Sequence, residues 1–419
     1  MGMTGICGSV SKGVTLLLGV FALATAAYGQ APLKNATFDP ARLTRDNFYA
    51  TLEPLARQEG ELLLYNSAGS FTDVWRKGLI PRFEARYGVK VRYRDVRNAI
   101  ANQQLMAVHR VGQDSPADVY FAGSTDNFQA MASAGVIARL DLGALLPNLA
   151  TVPSAYTGVV FGVPTGGAWP LVHLNQTAIG YDSAAVPPAE VPRTYDDLLR
   201  WAEHHPGRFV ITSPSKGGAG GGFLYSVARH FASEGECRTR LLDSQQSEAS
   251  ARAWAASDPC LQPVWDYFER LLRVAVIANG NADTLNLIQN GQAWVGTVWE
   301  DQILVFQRAK LLPATVRTTL LDSGEAGSGD GLIMTANTRR PAAALLFIDM
   351  AFGREFQLWK LQQRASRSPR PDVTQADMRP EDAVSVVPES MHARLSIPIN
   401  WRAVSALTAA FEDKVLSRR

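Results

Sequence analysis

The 419-residue sequence is poor in cysteine, with three, and carries almost no net charge, since 41 Lys and Arg face 39 Asp and Glu for a formal +2. So few cysteines exclude a disulfide-built scaffold. Near neutrality, with no basic block interleaved with aromatics, argues against a nucleic-acid partner. No apolar run reaches the ~20 residues that span a bilayer. Signatures of chemistry are equally scarce. There is no Gly-x-Ser-x-Gly elbow, and the glycines from Gly217 to Gly222 are not followed by the Lys-Ser or Lys-Thr of a phosphate-binding loop. The His204-His205 pair lacks His-Glu-x-x-His spacing and stands before Pro206 at a helix end, where solvation or contact with terminal carbonyls is expected. The chain therefore reads as a non-enzyme without metal or cofactor, a secreted hydrolase being the rival from another class.

What is present begins at the N-terminus. Lys12, the apolar run Val14 to Ala24 and the small residues to Gly29 have the order of a signal peptide. The prediction is a leader over 1–29, cut after Gly29 or Ala26, and a soluble periplasmic mature chain, because Cys7 precedes the apolar core and is not placed for lipid attachment. Removing the leader leaves Cys237 and Cys260, an even count in an oxidising compartment. A disulfide between them is expected to contribute roughly 3 kcal/mol, the alternative being two buried thiols.

Strand and helix signals then alternate. A helix over Asp46 to Gln58 ends at Gly60, followed by a strand Glu61 to Asn66 and a helix with Trp75, Leu79, Phe83 and Tyr87 four apart, in which Pro81 starts or kinks a turn. Strands Val89 to Tyr93 and Ala117 to Ala122 flank a helix over Ile100 to Val111. This alternation predicts a mainly parallel sheet covered on both faces, with ligands at the carboxyl ends of its strands. Those ends carry small polar loops that open helices: Ser67 and Gly69 after the first strand, Ser124 and Thr125 after the third. Ser70, Thr72, Ser124 or Thr125 taken singly is a helix cap; together the two loops suggest a binding surface. A further strand, Arg208 to Thr212, leads into the glycine run containing Gly218, read either as a loop approaching ligand or as a linker, with a helix from Phe223.

Four stretches then carry a resemblance: the Glu61 to Asn66 strand, FEARYGVKVRY from Phe83 to Tyr93, SPADVYFAGS from Ser115, and VPTGGAWPLVHLN from Val163. They resemble extracellular solute-binding proteins of ABC importers, and the likeness runs from about Glu61 to Phe356. It implies an α/β, two-lobed type II periplasmic-binding-protein fold, each lobe a mainly parallel sheet flanked by helices, joined by two hinge crossings. The implied division is 30–164 for the first part of lobe 1, 165–330 for lobe 2, and 331–419 for a return strand and C-terminal helices that pack back on the lobes. Thr165 and Trp169 lie at the first crossing, where Trp169 either stacks on ligand or packs in the hinge.

Trp299, Glu300 and Asp301 end the strand Ala293 to Val298, an aromatic beside carboxylates that suits a cationic amine; the alternative is a core Trp with solvated acids. The polyamine-binding branch of the family matches at Trp299 and Asp330, but has an aromatic where this chain has Ser328 and aromatic or acidic residues where it has Ser67, Ala68 and Gly69. A smaller amine, a zwitterion or a thiamine-like cation therefore stays open beside a small anion held by helix N-termini. The ferric-ion branch carries adjacent tyrosines, and no Tyr-Tyr pair occurs here. The implied partners are a small-molecule ligand and a membrane permease, with the protein a monomer; a stand-alone sensor of the same fold is the alternative.

Overall fold

The computed structural model describes Met1, Gly2 and residues 31–417. From residue 3 onward the predicted leader lies outside the described residues. Helix α1 (Phe48–Glu59) buries Phe48, Leu52 and Ala56, the four-residue spacing of an amphipathic helix. It stops where Gly60 takes a left-handed φ of 71°, which glycine adopts without steric cost. The chain turns directly into β1 (Glu61–Asn66). Pro81 is the second residue of α2 (Ile80–Tyr87), which continues directly from the π-helical stretch Val74–Leu79, so its missing N–H falls where the helix changes its hydrogen-bond register. Then come β2 (Lys90–Asp95), α3 (Asn98–Arg110), β3 (Val119–Gly123) and α4 (Thr125–Ser133). Both β2 and β3 pair parallel with β1.

The sheet continues through β4 (Leu171–Asp182), β5 (Phe209–Thr212), β6 (Val276–Ala278), β7 (Val295–Trp299), β8 (Val316–Thr319), β9 (Glu325–Met334) and β10 (Ser396–Pro398). Its order is β2-β1-β3-β9-β4-β7-β5-β6, with β8 added to β4 and β10 to β9. Parallel strands form the two wings, β2-β1-β3 and β7-β5-β6. The centre differs from the parallel expectation: β9 runs antiparallel to β3 and β4, and β4 antiparallel to β7.

These central strands serve two hydrophobic cores in succession. Val172 of β4 and Leu332 of β9 pack with Phe48, Leu64, Trp75 and Phe347 in one half. Farther along, Ile179 of β4 and Ala326 of β9 pack with Phe209, Phe223, Trp265 and Phe268 in the other. Both strands thus pass from one core to the other within a few residues, giving two lobes joined by two crossings.

In the second lobe, α5 (Tyr195–His204) ends with His204 Nδ1 2.7 Å from the Arg200 carbonyl and His205 Nδ1 2.9 Å from that of Trp201, in keeping with an end-capping role. The glycine run does not form a loop. Helix α6 (Gly218–Phe231) contains it, because close packing outweighs the poor helix propensity of glycine. A Cβ on Gly220 would come within 1.9 Å of the Thr212 carbonyl oxygen, and one on Gly222 within 2.4 Å of Thr177 Cγ2. The disulfide forms as expected: Cys237 in the helix Gly235–Leu242 is bonded to Cys260 in the turn Pro259–Leu261. Among the described residues no helix is long and apolar enough to cross a membrane.

Candidate functional site

A cavity of about 300 Å³ lies between the lobes against the β4/β9 pair. His173 pairs with Asp330 across these strands, and Asn175 with Ser328. Residues two apart share a face, so all four side chains point the same way and all line the cavity. The first lobe adds Ser70, Phe71, Asn98 and Ser124; the second adds Asn281, Trp299, Gln302 and Trp401. Three helices reach it by their first residues, α3, α7 (Asn281–Gln289) and α11 (Trp401–Phe411), and α4 reaches it by its N-cap, Ser124. Their N-terminal ends turn the positive poles of the helix dipoles toward the lining.

The acids at the cavity are not equivalent. Asp301, in the first turn of α8 (Glu300–Arg308), forms an ion pair with Arg364, the last residue of α10 (Arg354–Arg364), the helix that follows α9 (Pro341–Ala351). The same guanidinium donates to the Ser70 carbonyl and lies 4.3 Å from the Phe71 ring centre. Glu300 is fully buried outside the cavity: its oxygens accept from Arg367 at 2.6 and 3.2 Å and from the Val387 amide at 3.1 Å.

Asp330 has no such partner. Its side chain is 19% exposed, and among the described residues the basic group within 4 Å is Nε2 of His173 at 3.7 Å. Burial first, then the charges of Lys360 and Arg364, hold the His173 imidazole well below its ordinary pKa, so it stays neutral. Nδ1 of that ring lies 2.5 Å from Ser366 Oγ. Burial, reinforced by the negative charge of Asp301 and opposed by Arg364, pushes the Asp330 carboxyl up to about 7. The result is an acid that a bound cation would stabilise in its ionised form.

Beside it, Trp299 is 7% exposed and presents its ring to the cavity. Gly218 makes room for this indole, since a Cβ there would lie 2.9 Å from the ring. Of the residues singled out from sequence, Ser124, Trp299 and Asp330 come together on the cavity wall, with Gly218 supporting Trp299. Ser67 instead donates to the Phe121 carbonyl at 2.9 Å, and Gly69 lies just outside the lining formed by Ala68, Ser70 and Phe71. Thr125 is buried in the first turn of α4, and Thr165 is buried and donates to the Thr157 carbonyl. Trp169 packs beneath the cavity, stacked on Phe128 with its Nε1 donating to Ala122. Sequence reasoning missed Asn98, Asn281 and Trp401. The available signal was position, because each opens a helix just after a strand or turn.

A larger space of about 500 Å³ opens beside the C-terminal segment and is lined by Arg367, Arg370, Glu389 and His392. Its arginines are committed to Glu300, Glu389 and Asp372, so the inter-lobe cavity is the better candidate.

Similarity to known proteins agrees with this architecture. No curated protein matches the chain by sequence. Among solved structures, an ABC transporter protein from Clostridium perfringens superimposes with a TM-score of 0.61 at 15% identity, covering 85% of this chain and 99% of its own. Iron-bound HitA from Pseudomonas aeruginosa gives 0.59 at 18% identity, with 85% and 99% covered. The Atu4243-GABA receptor gives 0.57 at 15%, with 85% and 97% covered. At these identities the likeness establishes the fold. The family of bacterial extracellular solute-binding proteins matches residues 78–384, and the chain belongs to that family.

Proposed function

We propose that the protein is the periplasmic receptor of an ABC importer, exported by the leader over 1–29 and working as a monomer. It captures a small organic cation, an amine or a thiamine-like compound, in the inter-lobe cavity. One observation carries the choice of charge: Asp330 faces the cavity beside the Trp299 indole, while Asp301 and Glu300 are already neutralised by arginines. A cation there gains the carboxylate and the aromatic face together, and its charge offsets the cost of keeping Asp330 ionised under burial. The fold itself accommodates iron in HitA and GABA in the Atu4243 receptor, so the ligand must be read from this chain's own groups.

The lobe division at 30–164, 165–330 and 331–419 is supported by the handover of β4 and β9 between cores. Ligand contacts from both lobes favour closure about these strands, and the closed form docks on the permease. A thermal-shift screen of refolded, ligand-free mature protein tests the assignment. Compounds that carry a cationic group should stabilise it most, by about 4 kcal/mol at a thousandfold excess over Kd. Stabilisation by inorganic anions or sugars, with none from any amine, would overturn it.

A further inference from the structure

The cavity opposes its one uncompensated acid with an array of donors that an amine alone does not use. Asn98 accepts from the Tyr120 hydroxyl at 2.6 Å through Oδ1, which leaves its NH₂ group for the cavity. Asn281 accepts from the Ala219 amide at 3.3 Å through Oδ1, with the same consequence. The buried Trp299 indole N–H can only donate, and it makes no hydrogen bond among the described residues. Ser328, 4% exposed, likewise presents on the cavity wall a hydroxyl with no hydrogen bond among the described residues. Trp401 Nε1, also on this lining, is buried with no partner among the described residues, and buried donors that protein groups do not satisfy call for a ligand acceptor, beside which the half-buried amides of Asn98 and Asn281 stand ready to donate. Asn98 and Asn281 come from opposite lobes and stand at the starts of α3 and α7, where the helix dipoles favour negative charge.

We infer that the ligand is a zwitterion, whose ammonium group meets Asp330 and Trp299 and whose carboxylate is held by Asn98 and Asn281. This rests on the cationic reading of Asp330 and adds a second, acidic end to the ligand. A small amino acid fits both the charge pattern and the roughly 300 Å³ available. Because Asn98 and Asn281 belong to different lobes, the acidic end is also the part of the ligand that joins them.

The test is calorimetric titration of ligand-free mature protein with matched sets of three to six carbons: the ω-amino acid, the alkylamine and the alkanoate. The four-carbon set is 4-aminobutanoate, butylamine and butanoate. For at least one length the amino acid should bind tenfold or more tightly than its amine, the effect of one charge-assisted hydrogen bond. Asn281→Ala and Asn98→Ala should each shrink that ratio. A ratio below tenfold at every length overturns the inference and leaves the amine reading standing. An alkanoate that equals its amino acid overturns both readings, as does failure of every compound to bind.

Discussion

Arg402, in the first turn of α11 in the second lobe, places Nη2 3.3 Å from Oδ1 of Asp126, in the first turn of α4 in the first lobe. The same nitrogen lies 3.4 Å from Gln129 Oε1. This ion pair spans the gap between the lobes beside Trp401 and Ser124, which line the cavity from either side. Both side chains are partly exposed, so the pair contributes about 0.5–1 kcal/mol to the closed form after solvent screening. Arg402→Ala should therefore raise the ligand dissociation rate about two- to fivefold. Stopped-flow measurement checks this, and an unchanged rate removes the pair from the closure mechanism.

Glu300 and Asp330 are predicted to respond in opposite ways to neutralisation. Glu300 is fully buried and bidentate with Arg367, so Glu300→Ala leaves the buried guanidinium with the more exposed Glu389 as its one carboxylate and should cost about 3 kcal/mol of stability, the low end for a broken buried pair. Asp330→Asn removes an acid that burial disfavours and should leave stability equal or higher while weakening cation binding at least tenfold. Denaturant unfolding separates the two, since the alternative view of Glu300 as a ligand contact predicts lost binding with little change in stability.

Glu325 supplies a pH signature. It is buried, and burial pushes its carboxyl up to about 8, opposed by its hydrogen bond with Tyr195 at 3.0 Å. A raised acid binds its proton more tightly folded than unfolded. Its stabilising contribution is complete below the unfolded value near 4.5 and is lost as pH rises through about 8. Glu325→Gln keeps the neutral shape and escapes this loss. Its stability advantage over the parent should widen with pH at up to about 1.4 kcal/mol per unit across that window. Parallel melting curves at pH 4.5 and pH 8.5 check the prediction; a constant difference contradicts it.

The Cys237–Cys260 bond closes a loop with a sequence separation of 23, for which chain entropy gives about 3 kcal/mol. Replacing both cysteines by serine should lower Tm under oxidising conditions and make it insensitive to reductant. Equal melting of parent and double variant without reductant would show that the bridge adds nothing.

Local signals carried much of the fold. Period, caps and turns gave β1 at its observed limits and the stop at Gly60. Where tertiary packing overrides local preference, the reading failed. The run Gly217 to Gly222 looks like a loop until Thr212 and Thr177 are seen pressing against α6. The basic, proline-containing stretch Arg364 to Pro371 also reads as a surface loop. Its Arg364 and Arg367 are in fact buried, because Asp301 and Glu300, more than sixty residues earlier, are folded against them. That pairing decides which acid is free for a ligand, and nothing in the linear order announces it. Trp299 was legible beside the carboxylates that follow its strand, and Asp330 through the family resemblance, whereas Asn98, Asn281 and Trp401 join the site only when the two wings of the sheet face each other.

The most direct test of the central claim is the proton balance of binding at Asp330, measured by titrating the best amine of the screen at pH 6 in buffers of different ionisation enthalpy. With its carboxyl at about 7 in the free protein, Asp330 is largely protonated at pH 6 and must ionise to meet a cation. The account predicts release of about one proton per ligand, affinity that weakens up to tenfold per unit below pH 7, and loss of the release in Asp330→Asn. Tight binding without proton release at pH 6, retained in Asp330→Asn, would contradict it.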